Sequence, residues 1–496
     1  MKTISAAIFE APSVDWWGLL PQMVLLGVAL SLLLITSISR RKFATAFSTL
    51  CSVLAGSTVF LIALGLWGDV QELGPRSSLA SAFGVDGFSI FFTILISLGV
   101  VATALLSHSY IEREGIDSAE FHALLMCSAA GAIVMASAND LIVLFIGLEA
   151  LSIGLYVMIA IHTRRAEARE AAMKYFVLGA FSSAFFLYGI ALVYGATGST
   201  NLVQIRDYLD EVAFKDEHIL LAGLGLLLIG LAFKVAAAPF HFWAPDVYQG
   251  APSPVTGYMA SIAKAAGFAA LLRVFFAALP SYKLDWSPII SALAILTLVV
   301  GAVMAILQTD VKRMLAFSSV SHAGYVLVAI QSANASGTSA ALFYLFTYSF
   351  VVIGSFGVVS LMGWKDGHSL DRYSGIGRSR PVLALTFTVF LLAQAGVPLT
   401  SGFVGKFQVI TSAVDVENYV LASIAMLTAV ISAYMYLKIV MTMYVTEDNS
   451  EGPDIAIHWT SGVVLGGILV FTLVVGIIPQ FLIDFSQDAV PVLIAG

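Results

Sequence analysis

"FKVAAAPFHFWAPDVYQGAPSPV", residues 233–255, decides how this chain folds: it lies in a strongly apolar region, yet it holds Lys234 and four prolines. Proline removes a backbone donor and clashes with the preceding turn, so a helix passing Lys234 cannot run straight through Pro239. "PFHFWAPDVYQGAP" stays largely apolar up to Asp246, so the helix is expected to be interrupted at Pro239 and then to resume. Freed backbone groups at membrane depth are tolerated only where they are buried in protein or face a wet cavity. The break and the lysine are therefore expected to serve one polar cavity.

The rest of the chain sets the solvent. Of 496 residues, 59% are apolar and 11% charged, and the mean hydropathy is +0.94, a lipid-facing composition. A hydrocarbon core of roughly 30 Å takes about 20 helical residues per crossing. Fourteen such runs follow one another: 17–37, 44–67, 87–107, 121–138, 140–161, 170–195, 218–238, 253–278, 287–308, 311–331, 338–363, 381–413, 418–445 and 460–485. They predict an all-α polytopic membrane protein of about 14 transmembrane helices, and the short alternating segments of a barrel are missing. "MKTISAAIFEAPSVDWW" has no apolar core behind Lys2 and no small-residue cleavage site, so no cleaved signal peptide is expected. Placing Arg40, Arg41 and Lys42 in the cytoplasm puts 13 basic residues on that side and five on the other, with both termini outside. The loops 108–120 and 446–459 are acidic although this scheme makes them cytoplasmic; acidic residues weigh little in the rule.

Much chemistry is excluded. Cys51 and Cys127 lie in different apolar runs and make no ligand set for zinc or an iron–sulfur cluster. There is no dinucleotide fingerprint, phosphate loop or zinc-protease motif. Of eight scattered histidines, His241 and His322 are read as those within apolar runs, and not as metal ligands. Ser261 to Lys264 matches Ser-x-x-Lys only by accident inside a membrane helix, and Asn334-Ala-Ser336 is an equally accidental glycosylation match. What remains is work with protons, ions or contacts.

With Lys312 and Arg313, at the edge of run 311–331, counted with the preceding loop, six basic residues fall inside the runs: Lys174, Lys234, Lys264, Arg273, Lys406 and Lys438. Glu149 falls near the middle of helix 5, Lys264 of helix 8 and His322 of helix 10, and intramembrane ionisable groups usually mark ion paths. The plainer reading is a fixed Glu149–Lys264 ion pair that holds helices in register. Lys174, four residues after Glu170, reads as readily as a snorkelling stem or a surface Glu–Lys pair as it does as part of an ion path. Helix 12, about 33 residues from Pro381 and interrupted by "AGVPLTSG", is too long for one straight crossing; Lys406 follows Pro398 by eight residues. Two broken helices, each with a lysine near the break, point to a transport site between related halves. If helices 4–8 and 9–13 are the two units, five crossings each would invert the second relative to the first. Asp140 and Asp310, in acidic tight turns, lie 170 residues apart, and Gly154 and Gly324 share that offset. The predicted divisions are a 1–120 N-terminal three-helix segment, the repeats 121–280 and 281–446, and a C-terminal helix in 447–496.

A lysine keeps its charge at pH 7 unless its pKa of about 10.4 falls by roughly three units, about 4 kcal/mol. Burial supplies such a shift and a carboxylate within about 4–6 Å opposes it. A Glu149 that moves relative to Lys234 could thus load and release a proton. Lys234, His241, Lys264, His322 and Lys406 would then form a lateral chain of titratable groups.

These features resemble the antiporter-like membrane subunits of NADH:quinone oxidoreductase, respiratory complex I. The resemblance covers essentially the whole chain. It is carried by residues 233–273 and by "LFIGLEALSIGLYV", "EAAMKYFVLGAFSSAFFLYG", "DVKRMLAFSSVSHAGYVL" and "GVPLTSGFVGKF". It implies fourteen helices with two inverted five-helix repeats, Glu149 and Lys234 as the coupling pair, Lys264 and Lys406 continuing the proton path, and lesser roles for Lys174 and His241. One sister subunit carries Glu where Lys406 stands, and the long one adds a lateral C-terminal helix not expected here. The resemblance further implies that electrons travel elsewhere, through flavin mononucleotide, iron–sulfur clusters and quinone on other subunits, with no cofactor on this chain. The implied partners are the other membrane-arm subunits and the lipid bilayer, with no nucleic acid. A bacterial cytoplasmic membrane is expected, since nothing resembles an organelle address. Two other functions compete: a subunit of a sodium/proton antiporter of the same fold, and a structural spacer whose buried charges only hold helices together.

Overall fold

Residues 14–39, 44–211, 218–362, 368–445 and 457–494 are described by a computed structural model of the chain. Arg40, Arg41 and Lys42, where the orientation count starts, and most of the loop 446–459 lie outside the described residues. In chain order the helices are α1 (Trp16–Ser39), α2 (Thr45–Leu73), α3 (Gly87–Glu114), α4 (Ser118–Ser137), α5 (Leu141–Ala160), α6 (Ala166–Thr197), α7 (Leu202–Glu211), α8 (His218–Lys234), α9 (Trp243–Gly250), α10 (Ser253–Ala278), α11 (Lys283–Ile306), α12 (Val311–Gln331), α13 (Ala335–Met362), α14 (Pro381–Ala395), α15 (Ser401–Asp415), α16 (Tyr419–Tyr444), α17 (Trp459–Ile477) and α18 (Gln480–Asp488). Among the described residues twelve helices are long and apolar enough to cross a membrane, while the apolar α8 and α14 are shorter. The chain is a helical, multi-pass membrane protein; β1 (Arg76–Ser78) and β2 (Phe83–Val85) add one small antiparallel hairpin.

Both predicted breaks are present. The first opens directly after Lys234, the last residue of α8, and the chain resumes as α9 at Trp243. The second separates α14 from α15 over residues 396–400. Each break holds one non-glycine residue in the left-handed region, Ala236 at φ +57° and Leu399 at φ +68°, a conformation that costs roughly 1–2 kcal/mol and persists only where surrounding packing enforces it.

Three features differ from expectation. The connection after α6 folds into the amphipathic α7. The run 460–485 is two helices, because Pro479 cannot donate a backbone hydrogen bond and α18 starts afresh behind it. Within α10, Met259–Ala263 and Leu272–Ala278 are wound as π-helix, with Lys264 immediately after the first wide turn.

The interior is built from α3, α10, α12 and α13. The apolar stretch of α13 is wholly buried, whereas those of α1 and α6 are only a third buried. Outward-facing Phe176, Phe181, Phe185 and Tyr188 on α6 are left for lipid or a partner. The α4–α5 and α11–α12 pairs pack backbone to backbone. A Cβ on Gly131 would stand 2.5 Å from Leu151 N, and one on Gly301 would stand 2.4 Å from Ser321 N. Asp140 caps α5 and Asp310 caps α12. Behind each cap the same junction recurs: Leu141 N donates to Thr200 O and Leu202 N to Asn139 O, while Val311 N donates to His368 O and Leu370 N to Thr309 O.

One buried ion pair ties the ends together. Asp86 caps α3 through Ser89 and accepts two hydrogen bonds from Arg273 of α10, at 2.6 and 2.9 Å. Arg273 also donates to Ala136 O and Val492 O, and Asn139 Nδ2 donates to Ile494 O, so the C-terminal segment closes over the pair. The two side chains are 0% and 2% exposed. Removing one partner from such a pair costs about 3–5 kcal/mol. Asp86→Ala is expected to lower the thermal unfolding midpoint of the detergent-solubilised protein markedly, whereas Asp86→Leu combined with Arg273→Met recovers most of the loss.

Candidate functional site

Lys234 closes α8 with its side chain 5% exposed. Its ammonium donates to Ser152 Oγ on α5 at 2.7 Å and to Tyr175 OH on α6 at 3.4 Å, and it lies 5.9 Å from the centre of the Tyr175 ring. Glu149 precedes Ser152 by one turn on α5 and accepts the Ser183 hydroxyl of α6. It is close enough to act on Lys234 through its charge, but the two form no direct ion pair. A cavity of about 10 Å³ lined by Ser152, Tyr156, Tyr175, Ser183 and Lys234 joins the two neighbourhoods, with room for about one water.

The stem of Lys234 crosses α10 beside Gly267, one turn beyond Lys264. Lys264, 3% exposed, donates to both the carbonyl and the hydroxyl of Ser319 on α12 at 2.6 Å. The hydroxyls of Tyr248 and Tyr348 lie beside Ser319, and neither completes a hydrogen bond to a protein atom. His322, one turn further along α12, is bonded at both ring nitrogens: Nδ1 to Tyr344 OH at 2.6 Å and Nε2 to Tyr436 OH at 2.9 Å.

Lys406 shows why its break has the form it does. Its ammonium donates to Ala395 O at 2.8 Å, the last carbonyl of α14, where the partial negative charge of a helix end gathers, and it lies 4.9 Å from the centre of the Tyr325 ring. Gly396 turns the chain at φ +89°, and a Cβ there would meet Lys406 Cδ at 2.8 Å. Glycine thus provides both the turn and the passage for the lysine stem.

The structure does not bring every predicted residue into this row. His241 lies in the first break with Nδ1 unpartnered and its ring facing Phe317. Lys174 stands apart, partly exposed and ion-paired with Glu170 at 2.8 Å and Asp246 at 2.7 Å. The Glu–Lys pair reading therefore holds, with Asp246 added. Among the described residues Lys174 is the only lysine with a carboxylate partner, so the fixed Glu149–Lys264 pair is not formed.

Other residues escaped the sequence reading. Lys312 was counted as a loop residue, yet it is 4% exposed and donates to Ala251 O at 2.6 Å. It borders a cavity of about 610 Å³ at the end of the helices, shared with Arg113, Glu114, Arg165, Lys174, Asp246 and His368. Burial, and then the surrounding Lys312 and arginine charges, push His368 down to about 3, so it is neutral at pH 7. Contrary to the reading of His241 and His322 as the histidines of the apolar runs, His108 and His122 are also buried, joined through Thr49 at 3.1 and 3.2 Å. Hydropathy windows cannot see these, because a single polar side chain near a run edge looks like the start of a loop.

Residues 138–432 match the family described as NADH:quinone oxidoreductase/Mrp antiporter, TM. NADH-quinone oxidoreductase subunit N of Trichlorobacter lovleyi is 40% identical over 477 residues, covering 95% of this chain and 96% of the relative. The protein of the same name from Mycobacterium tuberculosis is 38% identical, covering 98% and 100%. Among solved structures, a chain of respiratory complex I from Thermus thermophilus with bound aureothin superposes with a TM-score of 0.78 at 34% identity, covering 94% of this chain and 98% of its own. A chain of the Mrp complex from Dietzia sp. gives 0.84 at 21% identity, covering 95% and 97%, a likeness of fold alone. By sequence and by fold, the chain belongs to the NADH:quinone oxidoreductase/Mrp antiporter family of membrane proteins.

Proposed function

We propose that this chain is a proton-translocating membrane-arm subunit of NADH:quinone oxidoreductase, the counterpart of subunit N. In this role it couples quinone reduction elsewhere in the complex to proton transfer along Lys234, Lys264, His322 and Lys406. The observation that carries the reading is that the three lysines, on α8, α10 and α15, are buried, with buried His322 on α12 beside them, and are held by hydroxyls and carbonyls instead of carboxylates. A structural clamp would pair them with acids, as Asp86 pairs with Arg273. Electrons would travel through flavin mononucleotide, iron–sulfur clusters and quinone on other subunits, with no cofactor on this chain.

Glu149 is the proposed control point. It is only half buried, between the outward-facing Ile146 and Ile153 of α5. A carboxylate at that depth is costly against lipid, which supports a neighbouring subunit covering this face. Displacing a carboxylate from 4 to 8 Å from an ammonium changes their interaction by about 2 kcal/mol at an effective dielectric of 20, enough to shift a proton along the row. The 610 Å³ cavity would admit protons from bulk water. His241 would act within the first break and Lys174 at the cavity rim, both with lesser parts.

The matching junctions behind Asp140 and Asp310, and the common offset of Gly131 and Gly301, support two inverted repeats, helices 4–8 within 121–280 and helices 9–13 within 281–446. They would be flanked by a 1–120 segment and by the helices after 447. The proposed location is the bacterial cytoplasmic membrane with both termini on the periplasmic side. Sodium/proton antiport remains the competing function of the fold; full-length relatives at 38–40% identity named for the oxidoreductase favour proton translocation by that complex.

Two outcomes are expected in vesicles containing the assembled complex, with proton uptake and NADH oxidation measured together. Lys234→Ala should lower coupled proton translocation at least fivefold while assembly is preserved; unchanged protons per electron would leave only the spacer reading. Lys174→Ala, which removes a partly exposed pair of a kind usually worth about 1 kcal/mol or less, should reduce translocation less than twofold.

A further inference from the structure

The setting of His322 assigns work to side chains that the lysine row leaves out. A neutral imidazole has one N–H and one lone pair. With a phenol on each nitrogen, one tyrosine must donate while the other accepts, and exchanging the tautomer reverses both bonds. The two phenols come from different helices, Tyr344 from α13 and Tyr436 from α16, and Tyr348 stacks on the imidazole with ring centres 4.5 Å apart. Further polar groups lie on both sides. Tyr436 OH is hydrogen-bonded to Ser318 Oγ, and the next residue of α12, Ser319, accepts from Lys264, although the two serine hydroxyls are not bonded to each other. On the other side His322, Tyr344 and Lys406 border one cavity of about 10 Å³, room for about one water, and the Tyr344 ring stacks on Tyr325, over which Lys406 lies.

We propose that Tyr344 and Tyr436 are proton-transferring residues that pass a proton through His322 between the Lys264 and Lys406 sides of the row. The phenol on the donor side gives its proton to the bare imidazole nitrogen. In the same concerted step the opposite nitrogen gives its proton to the oxygen of the second phenol, which passes its own O–H proton outward, while the first phenol regains a proton from its outer side; the outer partner is Ser318 for Tyr436 and a water admitted by the small cavity for Tyr344. Both O–H bonds and the neutral ring are restored, and one proton has crossed without any change of oxidation state. The passage leaves His322 in its other tautomer, so the ring must be reset before the next proton and transfer is single-file. The inference rests on the proton-transfer reading of the lysines.

The test uses the intact complex in vesicles, with proton translocation per NADH oxidised followed by a pH-sensitive dye and assembly checked separately. Tyr344→Phe and Tyr436→Phe should each lower translocation at least fivefold, matching Lys234→Ala. Tyr434→Phe, which removes an outward-facing hydroxyl two residues from Tyr436 on α16, should translocate normally. Replacing Tyr436 by 3-fluorotyrosine, which retains ring and hydroxyl but makes the phenol more acidic, should shift the pH profile of translocation to lower pH. If both phenylalanine variants translocate normally while Lys234→Ala is impaired, or if the fluorinated variant has an unshifted profile, the tyrosines only pack and the inference is overturned. If Lys234→Ala also translocates normally, the proton-transfer reading fails and this inference falls with it.

Discussion

Inside hydrocarbon no solvent takes over a bond that the protein leaves unmade, and the central architecture follows from meeting that condition around amines instead of hydrophobic side chains. Lys406 answers the freed end of α14 by bonding its last carbonyl. Lys234 stands where α8 stops and reaches across to α5 and α6. The breaks are thus part of the charge accounting: each ends a helix where a lysine can be solvated by protein, and each holds one residue in a strained backbone conformation. At Lys406 the break supplies the carbonyl, whereas Lys264 meets Ser319 O within the continuous α12, together with the serine hydroxyl.

The second organising element is the contrast between a closed and an open set of buried charges. Asp86 and Arg273 satisfy one another twice over, with backbone carbonyls using further guanidinium donors, so they fix α3, α10 and the C-terminal segment as one rigid end. The lysines are bonded to groups that stay neutral, leaving their protons exchangeable with hydroxyls, imidazole and small cavities nearby. The same interior therefore holds a staple and the proposed relay, separated by whether a carboxylate completes the pair. Glu149 lies between these cases, near enough to influence Lys234 but anchored to Ser183, on a face that a neighbouring subunit can reach.

Long apolar runs were legible in the sequence because burial in lipid demands them whatever the tertiary arrangement. The two interruptions were legible because proline and glycine act on the backbone locally. Lys312, His108 and His122 were not legible, since their burial depends on which loops and helix ends fold over them. Lys174 and Glu170 could be paired from their i,i+4 spacing, but Asp246, 72 residues away, could not be added. The split at Pro479 was visible in principle and was masked by the apolar residues on both sides.

The amino-acid order by itself determined the membrane as solvent, the helical class, the sites of the breaks and the presence of ionisable groups at depth, all consequences of composition and local stereochemistry. Which groups those ions meet was decided only by tertiary structure. Hydrogen bonds from Lys264 to Ser319 and from His322 to Tyr344 and Tyr436 join residues tens to more than a hundred positions apart, and a contact a few ångströms long depends on helix packing angles that no local pattern encodes.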